Sequence, residues 1–299
     1  LGLVLRLAFG LLYWHGKPLA HDEREYLALA ANLAAGRGFT TDLLHEPPHP
    51  LADRFDRAPL YPLFLTPLVA FDPDFREGRL PADVPVCVKV AQSVVGAVTV
   101  WLIALLARRL AGNAAATVSA LIAAVYPPLV WMCAYALSEA LAAALAMAAV
   151  LALGTALDRR GAPGEDAAPR RHILAGGALL GLATLVRPAT LLALPLVALY
   201  LLARRRVGLA ILLVVGAAVV IAPWTLRNVR EHGQLVLVSA QGGVNFWIGN
   251  HPLAVGDGDL AANPQLKRAN LELRSRHPGL DAVRLEPVYY REALGWIGS

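Results

Sequence analysis

Carboxylates and arginines spaced along otherwise apolar sequence are where chemistry could reside in this chain. His21-Asp22-Glu23-Arg24-Glu25-Tyr26 opens a helical pattern that Gly36 and Gly38 close. Acids in a first helical turn face free backbone N–H groups and the positive end of the dipole, and a carboxylate so placed can take a proton from a hydroxyl. Asp22, with Glu23 beside it, is the candidate base. A purely structural reading stands next to this one: Asp22 as the helix N-cap, with Glu25 three residues on completing an Asp variant of the capping box. Arg57, Arg187 and Arg227 are the matching cations, each offering a planar fork of donors that suits phosphate oxygens.

These groups must be positioned by membrane elements. The 299 residues are 57% hydrophobic and only 16% charged, with mean hydropathy +0.52, against about 25% charged in soluble domains. Leu1–Trp14 is apolar apart from Arg6 and shorter than the roughly 20 residues a spanning helix needs. It reads as the outer part of a first span, and the chain as a fragment of a longer polytopic protein. Further candidate spans are 86–107, 114–130, 136–157, 173–187, 189–203 and 207–224, about seven in all, with tilted or re-entrant ends where they are short. Residues 16–84 form a long outer loop in which Asp56–Leu65, rich in proline, reads as a surface-lying helix.

The net charge of +5 follows topology rather than nucleic-acid binding. Arg108 and Arg109, then Arg159, Arg160, Arg170 and Arg171, then Arg204, Arg205 and Arg206 fall in alternate loops, which the positive-inside rule makes cytoplasmic. Residues 1–224 then form the membrane core and 225–299 an outer-face segment. Within that segment Gln234–Ser239 reads as a short buried strand, Gly242–Pro252 as a turn-rich loop without phosphate-loop context, and 264–277 and 281–297 as amphipathic helices. Cys87 and Cys133 have no metal-ligand spacing and read as buried packing residues.

The same topology gathers Glu139, Arg187, Trp224, Arg227 and Asn228 on the outer face, where the loop that carries Asp22 also lies. Singly each has a plain alternative: Glu139 can snorkel, and Arg187 and Arg227 can be interfacial anchors. Five together are harder to explain that way.

The order Asp22-Glu23-x-x-Tyr26, Arg57-x-Pro59-Leu60-Tyr61, Ser138-Glu139 and Pro223-Trp224-x-x-Arg227-Asn228, with Gly233 and Gly249-Asn250, resembles the polyprenyl-phosphate-sugar-dependent glycosyltransferases of the GT-C membrane fold. Protein O-mannosyltransferases and lipid A aminoarabinose transferases are among them. The resemblance implies an all-α polytopic fold in the inner (plasma) membrane, with the active site on the periplasmic face. It implies a lipid-phosphate-linked sugar as donor, a protein, lipid A or glycan as acceptor, membrane lipids as surroundings and no nucleic acid. Asp22 and Glu23 would be catalytic, and Arg57, Arg187 and Arg227 would hold the donor phosphate. Tyr26, Asp56, Tyr61, Glu139 and Asn228 would contact substrate. Arg57 is expected to hold the phosphate with the Asp22 carboxylate a sugar's width away.

Ala58 in place of the first proline of the usual pair, and Arg24 inside the acidic cluster, depart from the family pattern and leave acceptor specificity open. No cofactor is required; a divalent metal near 21–25 and 45–49 stays open. The competing class is a transporter or lipid flippase, which would place polar groups near the bilayer midplane. Here those stretches are nearly pure Ala, Leu and Val.

Overall fold

The computed structural model describes residues 1–41, 57–158, 167–256, 260 and 262–298. Its elements are helical throughout: α1 Gly2–Ala8, prolonged by a π-helical turn at Phe9–Tyr13, α2 His21–Ala34, α3 Leu60–Val69, α4 Pro73–Arg76, α5 Val86–Val125, α6 Pro127–Trp131, α7 Glu139–Asp158, α8 Ala167–Val186, α9 Ala193–Ala203 after a 3-10 turn at Pro188–Leu192, α10 Val207–His232, α11 Gly242–Asn250, α12 Pro264–Ser275 and α13 Ala282–Ile297. Three of them, within Val86–Val125, Glu139–Leu157 and Val207–Glu231, are long and apolar enough to cross a membrane.

α5 is two helices joined at Gly112, whose φ of 84° and ψ of −173° no L side chain adopts comfortably. The halves fold back on each other. A Cβ at Gly2 would lie 3.6 Å from both Val100 and Ala124, residues that a straight helix would hold about 36 Å apart. The candidate spans 86–107 and 114–130 are therefore a hairpin, the second half stopping at Val125 because Pro127 and Pro128 follow. Those prolines have no N–H to give the carbonyls of Ala123 and Ala124. Buried Arg6 of α1 supplies the missing donors, Nη2 to Ala123 O and Nη1 to Ala124 O, both at 3.3 Å. Away from water an unpaired carbonyl is costly, which accounts for an arginine in an otherwise apolar helix.

At the other end of this first unit, buried Lys89 donates to Trp14 O at 2.7 Å and to Asp83, whose Oδ2 accepts from Gly16 N at 2.7 Å. The start of α5 is thereby tied to the end of the first apolar helix. Of the two cysteines only Cys133 is buried; Cys87 lies exposed at the start of α5, its thiol donating to Leu68 O of α3 at 3.2 Å.

α7, α8 and α10 form the second packed unit. Gly177 and Gly181 of α8 lie against α10 so closely that a Cβ on the first would run into Leu213 O, and on the second would come within 2.9 Å of Ala217 O. Small residues four apart let helix backbones approach without a hydrophobic drive, as membrane interiors require.

α10 continues through Pro223 to His232, and Gly233 closes it in the left-handed conformation (φ 65°). Its last turns hold the following segment. Asn228 Nδ2 donates to Val236 O at 3.0 Å, Trp224 Nε1 to Val238 O at 2.8 Å and Thr225 Oγ1 to Leu237 O at 2.8 Å. The expected strand at 234–239 is absent. Among the described residues there is no strand for it to pair with, and side chains of α10 take its carbonyls instead. The expected turn-rich loop at Gly242–Pro252 is also corrected, since most of it is α11. Trp247 and Ile248 bury themselves against α13, a tertiary gain that outweighs the weak helix propensity of its glycines. α12 and α13 are helices as expected.

Candidate active site

α2 begins two residues earlier than a cap at Asp22 would require. Ala20 is the N-cap, and its N–H is taken by Glu23 Oε2 at 2.7 Å. The other carboxylate oxygen, Oε1, accepts Ala136 N–H at 2.8 Å. Glu23 is 2% exposed. Burial pushes its carboxyl up from the ordinary range, and the two backbone donors oppose that shift. Both of its oxygens are thus committed to fixing the start of α2 against the loop before α7. Asp22, the neighbour on the helix, is left facing a cavity of about 800 Å³.

Arg57, the residue two before the N-cap of α3, reaches across to α2. Its Nη2 lies 2.5 Å from Asp22 Oδ1 and its Nε 2.6 Å from Glu25 Oε2. The guanidinium also sits over the Tyr26 ring, 5.1 Å from its centre. Burial would lower the pKa of Arg57, but Glu25, Tyr26 and Asp22 outweigh it and raise it. Tyr26 is braced in turn by Tyr61, edge to face at 4.8 Å, and by Ser138, whose Oγ lies 3.4 Å from the Tyr26 hydroxyl.

A second ion pair stands on the same cavity. Glu139 opens α7 and Arg187 follows the last residue of α8, and Arg187 Nη1 pairs with Glu139 Oε1. Arg187 is 45% exposed at its side chain, against 15% for Arg57. The cavity therefore lies where α2 starts, α7 starts and α8 ends, at one end of the helix bundle. Its remaining wall is made by 234–242 together with Asn245, Glu286 and Tyr290.

Of the residues singled out in the sequence, the fold brings Asp22, Tyr26, Arg57, Glu139 and Arg187 to one cavity. Glu23 is turned into the protein, as described. Tyr61 is fully buried beneath Tyr26. Arg227 stacks on Trp224 and Phe39, 4.9 and 5.9 Å from the ring centres, and does not line the cavity. Buried Asn228 is spent on the carbonyls of 236–238, so its contribution is to the cavity wall rather than to a ligand. Asp56, and the His- and Glu-bearing stretch 45–49, lie outside the described residues. Among those described, no three His, Cys, Asp or Glu side chains group as a metal would require.

In the sequence Glu25 is read only as a capping residue, Ser138 only as part of a motif, and the C-terminal wall not as part of a site. Glu25 had a signal, four residues after His21 and three after Asp22 in the same acidic turn. The wall had none, because only the folding of 225–298 brings it round.

A carboxylate paired with one arginine, on a cavity that a second arginine also lines, can accept a proton while cations hold an anion beside it. The family model described as dolichyl-phosphate-mannose-protein mannosyltransferase matches residues 82–226. Among solved structures, the chain is similar to ArnT from Cupriavidus metallidurans bound to undecaprenyl phosphate. The TM-score is 0.54 and the identity 20%, over 98% of this chain and 53% of that one. The chain thus spans about half the length of that structure, and the likeness is one of fold. No curated protein matches the chain. Both similarities support the GT-C membrane fold that the sequence motifs resemble.

Proposed function

We propose that the chain is the core of a membrane glycosyltransferase that moves a sugar from a polyprenyl phosphate to a protein, lipid or glycan hydroxyl. The reaction would take place on the periplasmic face of the inner membrane. The observation that carries this reading is the meeting of Asp22–Arg57 and Glu139–Arg187 on one cavity at the end of an apolar helix bundle.

The chemistry follows from what changes during transfer. The donor is a phosphodiester with one negative charge, and the released lipid phosphate is a monoester that gains a second. As the acceptor oxygen bonds to the anomeric carbon, its proton passes to Asp22. The carbon–oxygen bond to phosphate breaks, with the electron pair going to the phosphate oxygen. Cations that face that oxygen stabilise the transition state more than the ground state, which is what accelerates a reaction.

Arg187 carries one carboxylate and stands in the open part of the cavity, so it is the first contact for phosphate. Arg57 is held by Asp22 and Glu25. A phosphate arriving at Arg57 competes with Asp22, and drawing the guanidinium away leaves the Asp22 carboxylate to take the acceptor's proton. Exposed Leu192 lines the cavity, and exposed Leu196 and Leu199 follow on α9, an apolar surface for the polyprenyl tail.

The test is to incubate purified full-length protein with polyprenyl-phosphate sugars and to measure free lipid phosphate. Its appearance together with glycosylated acceptor supports the transfer. Movement of intact donor across a bilayer with no bond broken would point to a flippase instead.

A further inference from the structure

We propose that the cavity wall formed by Gln241 and Asn245 at the start of α11, with Glu286 and Tyr290 of α13, is the subsite that reads the hydroxyls of the donor's sugar. This rests on the transferase reading above. The cavity's two walls differ in chemistry. Both arginines that line it, Arg57 and Arg187, come from the membrane-side elements, and the wall contributed by residues 234–290 includes neither lysine nor arginine. It presents amides, a carboxylate and a phenol instead, groups that exchange hydrogen bonds with hydroxyls in both directions. A phosphate on the arginine wall leaves its attached ring to face this one, and about 800 Å³ lies within the roughly 300–1,000 Å³ of small-molecule sites.

The wall is also rigid. Glu286 Oε1 accepts Gly243 N–H at 2.9 Å. A carboxylate has about four acceptor positions, so the backbone leaves capacity for a ligand. A Cβ at Gly242 would come within 2.5 Å of the Tyr290 hydroxyl, and one at Gly243 within 2.6 Å of Glu286 O. The start of α11 is therefore locked on α13, and Glu286, Tyr290 and Asn245 keep fixed relative positions. The Tyr290 ring is further held against Phe246, 5.4 Å between centres. Polar groups fixed before a ligand arrives lose little entropy on binding it.

The experiment uses full-length protein and two probes. One is bare undecaprenyl phosphate. The other is whichever of a panel of undecaprenyl-phosphate sugars releases lipid phosphate with the unaltered protein. Glu286→Gln keeps an acceptor for Gly243 N–H, and Tyr290→Phe keeps the ring against Phe246, so both preserve the packing. Each is expected to raise the KM for the glycosylated donor about tenfold, the loss of one hydrogen bond to a charged or fixed partner. The inhibition constant of bare undecaprenyl phosphate should stay within about twofold. Equal weakening of both probes, or no change in either, overturns the assignment. If the unaltered protein releases lipid phosphate from no member of the panel, the transferase reading itself fails, an outcome distinct from either of those.

Discussion

The guanidinium of Arg57 lies directly against the carboxylate of Asp22, with Nη2 2.5 Å from Oδ1 and Nη1 3.3 Å from Oδ2. The sequence motifs lead one to expect these two residues together about a bound sugar and phosphate; in the structure they are in direct contact. On the proposed reading this contact joins the base and the phosphate clamp in one unit, in which a donor phosphate would share Arg57 with Asp22 or engage Arg187.

Arg57→Lys keeps a charge but loses the three-point fit to Asp22 and Glu25. It is expected to raise the KM for donor about tenfold or more and to lower the maximal rate less. Arg187→Gln should likewise act mainly on KM. Steady-state release of lipid phosphate at varied donor concentration checks both.

Arg6→Leu removes the donors that serve Ala123 O and Ala124 O. With Pro127 and Pro128 unable to replace them, each carbonyl left bare costs about 1–3 kcal/mol. The variant should melt at a lower temperature in detergent while the folded fraction keeps its donor KM. An unchanged melting temperature would show that other groups satisfy those carbonyls.

Gly177→Leu forces α8 and α10 apart at their closest approach. Overpacking of this kind costs typically 1–3 kcal/mol or more. Thermal stability and yield should both fall, whereas Gly208→Leu on α10, where a Cβ meets open space, should be near neutral. Melting curves of the two variants side by side make the comparison.

Burial pushes the His251 imidazole below its ordinary value, Glu292 acting in the opposite direction. The ring lies 4.5 Å from both Trp247 and Trp296, and its Nδ1 accepts Leu253 N–H at 3.0 Å. Between the depressed folded value and the unfolded value near 6.5, the unfolded chain binds more protons, so stability rises with pH across that window. The C-terminal helices should therefore lose stability as pH falls through that window. Tryptophan fluorescence during denaturation at pH 7.5 and 5.5 reads the loss, which His251→Phe should abolish.

Membrane character and the gathering of Asp22, Glu139 and Arg187 were legible because hydropathy and arginine spacing report directly on the bilayer. Side-chain direction was not. Glu23 differs from Asp22 by one position, which on a helix is about 100°, and only the packing of 132–138 against α2 decides which acid faces inward. Arg227 and Asn228 carry the family's spacing, yet the turn after His232 folds 234–240 back onto α10 and commits Asn228 to its carbonyls. The C-terminal wall depends on contacts between residues far apart in the chain, such as Gly243 with Glu286, 43 residues on, and no local pattern encodes those.

Asp22→Asn tests the central claim most directly. Ala20, not Asp22, is the helix cap, so the substitution leaves the start of α2 intact, and asparagine still offers Arg57 an acceptor oxygen. Release of lipid phosphate by the full-length variant should fall by about 10²–10⁴-fold, the usual worth of a general base, with donor binding no weaker and melting temperature little changed. Release within a few-fold of the unaltered protein would contradict Asp22 as the base.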